Sequence, residues 1–268
     1  MPRPPEHAEE VEDAREVEGT ERWERTMLRS LRKTLGYALM AEDGTIGRCR
    51  DFLFDDADWV VRYMVADTGT WIPRRKVLIA PAFLDEPDWP AEKLPVSLIK
   101  GEIEGSPPLD VDLPVSRQHE EALAEYFRLP AWWSVASDDE EEGVAEAAVE
   151  AAAPEPEDPH LRSLQEVLDY TIDAEDGEVG HVEDLVVDDQ EWTIRYLMVD
   201  TRDWLPGRKV LVAPRWLREL DWAGKRAVVE LTREQIEESP EYESETPIYR
   251  AYEADLHEGY GKHGYWEE

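Results

Sequence analysis

A chain of 268 residues, 41% of them hydrophobic, has the length of two ordinary domains and enough apolar side chains to build packed cores. Its formal net charge of -35 makes phosphate polyanions poor partners, because nucleic-acid affinity comes largely from cationic groups that displace counterions. No stretch approaches the roughly 18 consecutive apolar residues of a membrane-crossing helix, and a lone cysteine, Cys49, leaves neither an internal disulfide nor a thiolate metal cluster.

Residues 1–25 are Glu-rich and lack the apolar stretch of an export signal; they are expected to form an acidic arm, disordered or partly helical, and the cytoplasm is the default compartment. From Leu28 the chain begins a stretch that it later repeats. Displaced by 133 residues, positions 28–133 align with 161–266 without a gap, and about 40% of the pairs are identical. Leu28-Arg29-Ser30-Leu31 answers Leu161-Arg162-Ser163-Leu164, Ala41-Glu42-Asp43-Gly44 answers Ala174-Glu175-Asp176-Gly177, and Arg75-Lys76-Val77-Leu78 answers Arg208-Lys209-Val210-Leu211. The unit is domain-sized, too long for a solenoid repeat, so the chain is a tandem of two like domains. Residues 28–107 carry a net charge of -2 and residues 161–240 one of -9, which leaves 24 negative charges in the segments outside them. A general adaptation to high salt would acidify the repeats more evenly.

Within a repeat the pattern is β, and the second copy shows it best. Tyr170-Thr171-Ile172 runs into Asp176-Gly177, a hairpin dipeptide; residues 179–187 and 193–199 are rich in β-branched and aromatic side chains, with the polar turn Asp188-Asp189-Gln190-Glu191 between them. Residues 209–213 and 227–231 supply further strands, and residues 233–238 one or two helical turns that Ser239-Pro240 stop. Short strands joined by hairpins favour a small meander barrel that hides its own edges. Afterwards the period changes. Tyr249, Tyr252, Leu256 and Tyr260, like Ser116, His119, Leu123 and Phe127, recur at helical spacing, so each barrel is followed by a short amphipathic helix that closes on an aromatic pair. The expected organisation is a first repeat at 26–107, its helical extension at 108–136, an acidic Ala/Glu/Pro linker at 137–159, a second repeat at 160–240 and its extension at 241–268.

These residues carry a resemblance. Val179-Gly180-His181-Val182-Glu183-Asp184, Arg195-Tyr196-Leu197-Met198-Val199-Asp200-Thr201 and Lys209-Val210-Leu211-Val212 look like the PRC-barrel domain, and Ile46-Gly47, Asp51, Arg62-Tyr63-Met64-Val65-Ala66-Asp67-Thr68 and Lys76-Val77-Leu78-Ile79 repeat the match. That family includes the cytoplasmic domain of the photosynthetic reaction centre H subunit and the C-terminal part of a ribosome-maturation factor. The resemblance implies two small, partly open β-barrels. The H subunit has a membrane helix ahead of its barrel, where this chain has its charged arm; the maturation factor pairs one such barrel with a different domain, where this chain has two.

Candidate sites follow from what the copies share. Asp55, Asp56 and Asp58, with Asp188, Asp189 and Glu191, have the composition of a loose cation site but not the spacing of a calcium loop, and polar turn chemistry accounts for them. No histidine is shared: His181 faces Arg48, His119 faces Tyr252 and His257 faces Ala124, so a duplicated acid–base or zinc centre is not expected. Cys49 lies between Arg48 and Arg50, and Val182 replaces it in the other copy. Asp51/Asp184, Arg62/Arg195, Tyr63/Tyr196, Asp67/Asp200, Trp71/Trp204 and Lys76/Lys209 are shared, and internal ion pairs and loop anchors are their expected role.

No catalytic, cofactor or metal residues are assigned. The expected interaction surface comprises the aromatic pairs Trp132-Trp133 and Tyr265-Trp266, with Trp71 and Trp204. The expected function is that of a non-enzymatic adaptor with a protein partner, with direct nucleic-acid binding disfavoured. The alternatives are a ribosome or RNA-processing accessory acting through protein contacts and, after it, a role like that of the H subunit. The two repeats are also suited to pack about a pseudo-twofold axis, or the chain to form a homodimer.

Overall fold

The computed structural model of the chain describes residues 28–69, 75–109, 115–131, 160–201, 204–242 and 248–267. It is mainly β, with two sheets. The chain opens with strand β1 (Leu28–Ser30) and a single helical turn, α1 (Leu31–Thr34). Strands β2 (Ala38–Ala41), β3 (Gly44–Asp55), β4 (Val61–Asp67) and β5 (Lys76–Ile79) then form an antiparallel meander. The next strand, β6 (Lys93–Val96), is not added by a hairpin; it returns to lie parallel to β2, giving the order β5-β4-β3-β2-β6. Helices α2 (Lys100–Gly105) and α3 (Arg117–Phe127) follow.

The second repeat retraces this path through β7 (Leu161–Ser163), α4 (Leu164–Val167), β8 (Thr171–Ala174), β9 (Gly177–Asp188), β10 (Ile194–Asp200) and β11 (Lys209–Val212). It continues with β12 (Leu217–Asp221), β13 (Arg226–Val229), α5 (Arg233–Glu238) and α6 (Arg250–Gly259). Its order is β11-β10-β9-β8-β13-β12, again with one parallel step, β13 on β8. The strand β12 is not among the expected strands, and its counterpart in the first repeat is irregular. Residues 84–88 make only isolated bridges, Leu84 to Val96 and Asp88 to Lys93, because Pro87 stands where Leu220 stands and has no N–H for a ladder. Each strand order is open: no ladder among the described residues joins β5 to β6 or β11 to β12.

The long strands bend at bulges, where β10 slips against β9 between Ile194 and Tyr196 and between Met198 and Val199. Beside such a slip the backbones approach closely. A Cβ on Gly180 would sit 2.0 Å from the carbonyl oxygen of Asp200, and one on Gly47 would sit 2.0 Å from that of Asp67. Only glycine fits at either position. The hairpins β3–β4 and β9–β10 turn through a tryptophan with left-handed backbone, Trp59 (φ 60°) and Trp192 (φ 55°). Their N–H groups donate to the carbonyls of Asp55 and Asp188 at 2.9 and 2.8 Å.

The described residues divide into two compact units, and the division does not follow the repeats. One unit holds residues 34–131 with 160–163; the other holds residues 28–33 with 164–267. The exchange is reciprocal. Strand β7 opens the second repeat yet runs antiparallel along β3, pairing Leu161 with Asp55 and Ser163 with Leu53. Strand β1 opens the first repeat yet runs along β9, pairing Leu28 with Asp188 and Ser30 with Val186. Leu161 accordingly packs in a core cluster with Tyr63, Val65, Leu78 and Leu123. Leu28 is buried on the other sheet and also bridges Ile248. None of the described helices is long and apolar enough to cross a membrane.

Candidate functional site

Among the described residues, two constellations concentrate the polar chemistry. The first sits under α6. Spacing of three and four residues puts Glu253, Leu256, His257 and Tyr260 on one buried face of this helix, against Tyr196 of β10 and Trp216. Glu253 and His257 are each 2% exposed and Tyr196 0%. The Tyr196 hydroxyl lies 2.9 Å from Glu253 Oε1 and 3.0 Å from His257 Nε2, so one phenolic proton serves two acceptors. Tyr265 donates its hydroxyl to the same Oε1 at 2.9 Å, and Arg250 approaches Oε2 at 2.8 Å. His257 Nδ1 is 2.7 Å from the His263 carbonyl, the geometry of an N–H donor, which leaves Nε2 to face the phenol.

Burial governs the titration of this group. It pushes the Glu253 carboxyl up, opposed by Arg250 and by the hydrogen bonds from Tyr196 and Tyr265. It pushes His257 down, opposed by the bond to the His263 carbonyl. Tyr196 is held well above the usual phenol range, by burial first and by the Glu253 charge second. A phenol, a carboxylate and an imidazole in mutual contact have the composition of an acid–base set, but at such burial they meet each other and not a solute. Their effect in this conformation is to fasten α6 to β10.

The first repeat builds a related arrangement by another route. Glu120 of α3 is 0% exposed and takes Arg117 at 3.2 Å, the same i,i+3 pair as Arg250 and Glu253. Its imidazole is that of His160, with Nε2 2.7 Å from Oε2, and it comes from just before β7 and not from the helix. His160 has no histidine counterpart in the other copy, where Met27 stands. The available signal is the identity of Arg117-x-x-Glu120 with Arg250-x-x-Glu253 in segments that otherwise diverge.

The second constellation is the seat of each exchanged strand, and here the shared acids find their use. Asp184 accepts the Ser30 hydroxyl, the Arg32 N–H at 2.9 Å and the Leu185 N–H at 2.7 Å. Ser30 in turn caps α1 by accepting the Lys33 N–H at 3.0 Å. In the other unit Asp51 accepts the Ser163 hydroxyl at 2.5 Å and the Phe52 N–H at 2.9 Å. Arg29 reaches Asp189 at 3.2 Å, and Arg162 reaches Asp56 at 2.8 Å. Burial raises Asp184 to about 6, with the bonds from Ser30, Arg32 and Leu185 opposing the rise.

The turn acids are engaged in the same local work. Asp55 accepts the Ala57 N–H at 2.9 Å, Asp188 accepts those of Gln190 and Glu191, Asp58 pairs with Arg62, and Glu191 pairs with Arg195 at 2.6 Å. Among the described residues no group of three or more His, Cys, Asp or Glu side chains is placed to hold a metal ion. Cys49 is buried, and burial, with Asp51 adding to it, pushes its thiol up to about 12 against the hydrogen bond with Thr34.

Of the six aromatic residues singled out from the sequence, Trp71, Trp132 and Trp133 lie outside the described residues. Trp204 is half-buried, with the Arg233 guanidinium 4.5 Å from its ring centroid. Tyr265 and Trp266 fold back onto α6. Arg195 and Arg250 lie 4.1 and 4.9 Å from the Tyr265 ring centroid, and Arg250 lies 4.3 Å from that of Trp266. Both rings are half-buried. Compared with known proteins, the chain matches no family model and no curated protein.

Proposed function

We propose that the chain is a non-enzymatic adaptor, built from two domains of the PRC-barrel kind, that binds a protein partner. Each sheet with its parallel return strand and its bulges is read as a small, partly open barrel. The observation that carries the functional reading is the internal use of the polar residues the copies share. Asp51 and Asp184 seat strands, and Arg75 and Arg208 donate to carbonyls at the ends of α2 and α5, those of Glu104 and Ser106 and of Glu237 and Ser239. Glu120 and Glu253 fasten helices. Folding accounts for the presence of these residues in both copies, and recognition is assigned to the partly exposed aromatic side chains, Trp204 and Trp266 among them.

The test is crosslinking in cells followed by mapping of the linked residues. A protein partner whose crosslinks cluster around Trp204 and Trp266, and whose capture falls at least about tenfold in the Trp204→Ala and Trp266→Ala double variant, supports the reading. Crosslinks scattered over the surface, or capture indifferent to both substitutions, removes it. Tyr265 is left intact because its hydroxyl belongs to the Glu253 network.

A further inference from the structure

The seat of each exchanged strand is a recognition site that reads side chains as well as backbone. Leu28 and Leu161 enter a core, Arg29 and Arg162 meet the second aspartate of the β-turn, and Ser30 and Ser163 donate to the aspartate inside the long strand. The donors and the receiving aspartates are identical in the two copies: Leu-Arg-Ser-Leu is written at 28–31 and at 161–164, and the aspartates are Asp51 and Asp56 in one, Asp184 and Asp189 in the other, while the paired strand residues are Leu53 and Phe54 against Val186 and Val187. Either donor therefore offers the same serine and arginine to either pair of aspartates.

We propose that each repeat is a receptor for a Leu-Arg-Ser-Leu strand, and that a second copy of this chain supplies that strand in an exchanged dimer. Within one chain the receptors are filled by the opposite repeat, as described above. When the strands lift, a donor from a second chain forms the same backbone ladder, the same serine–aspartate bond and the same arginine–aspartate pair, with no contact altered. The balance between closed monomer and exchanged dimer is then set by the effective concentration of the tethered donor against the concentration of chains, and not by any difference in binding energy. The proposal is independent of the adaptor reading, since it concerns the chain's own copies and does not involve the aromatic residues.

The experiment mixes full-length protein of natural isotope content with full-length nitrogen-15-labelled protein and follows it by native mass spectrometry. Dimers of intermediate mass are expected to grow slowly at high concentration and to persist for a time after dilution, because exchange requires the strands to open. In the Ser30→Ala and Ser163→Ala double variant, which loses the hydroxyl donors to both aspartates, mixing is expected about tenfold faster or more. Should that variant unfold, Asp56→Asn with Asp189→Asn, which weakens only the arginine pairs, is expected to accelerate mixing in the same direction. Failure to find mixed dimers under conditions where hydrogen exchange shows β1 and β7 opening overturns the proposal. So does a dimer that mixes at the same rate in every variant, which would join its chains by another surface.

Discussion

Asp184 is identical in both copies, but its role is not legible in either, because the serine it binds lies 154 residues away along the chain. Its folded carboxyl titrates at about 6 against an ordinary 3.8, so the native state holds the proton more tightly than the unfolded chain. Such a group favours folding below pH 4, and the benefit is lost as the pH rises through 6. Replacing it with Asn, which does not ionise, removes that dependence. Between pH 4 and pH 7 the stability of Asp184→Asn is expected to improve relative to the parent by about 2 kcal/mol, read from urea denaturation at a series of pH values. Gly180 makes the opposite kind of demand, set by space and not by charge. A methyl group there collides with the Asp200 carbonyl, so Gly180→Ala is expected to cost about 3 kcal/mol or more by the same measurement.

The helix α6 is held by one buried carboxylate, and its energetics separate by atom. Tyr196→Phe removes a single hydroxyl and is expected to cost about 1 to 2 kcal/mol. Glu253→Ala takes the carboxylate from Arg250 and from the Tyr265 hydroxyl, leaves Tyr196 with His257 alone, and is expected to cost about 3 to 5 kcal/mol, with loss of near-ultraviolet circular dichroism from the aromatic cluster around Trp216. The strands of the meander and the helices α3 and α6 are visible in the sequence because alternation and three-to-four spacing are local signals. The parallel steps, β6 on β2 and β13 on β8, are not, since a return strand has the same composition as a hairpin strand. Nor is β1, three residues whose pairing partner lies in the other repeat. Of the candidate sites, the duplicated glutamate was readable from Arg117-x-x-Glu120 and Arg250-x-x-Glu253. His160 was not, because it has no counterpart in the other copy.

For the whole molecule the reciprocal exchange makes repeat and folding unit different things. Leu28 belongs by sequence to the first repeat and by packing to the second sheet, so Leu28→Ala is expected to lower amide protection in β9 and β10 and to leave β3 and β4 nearly unchanged. Leu161→Ala is expected to do the reverse, exposing β3 and β4, where Leu161 packs with Tyr63 and Val65. Hydrogen exchange read by mass spectrometry distinguishes this crossed pattern from the direct one that the linear order of the repeats suggests.

Exchange also places the two sheets unequally in time. A ribosome releases this chain from its N-terminal side, and residues 161–163, which flank β3, emerge only after every other strand of that sheet. Until then the flank of β3 at Leu53 to Asp55 has no neighbour of its own. The other sheet meets no such delay, for its flanking strand β1 precedes all its other strands in the chain. Translation thus leaves the elder domain waiting on the younger, and on a polysome the nearest ready-made substitute is the matching strand of an adjacent nascent copy.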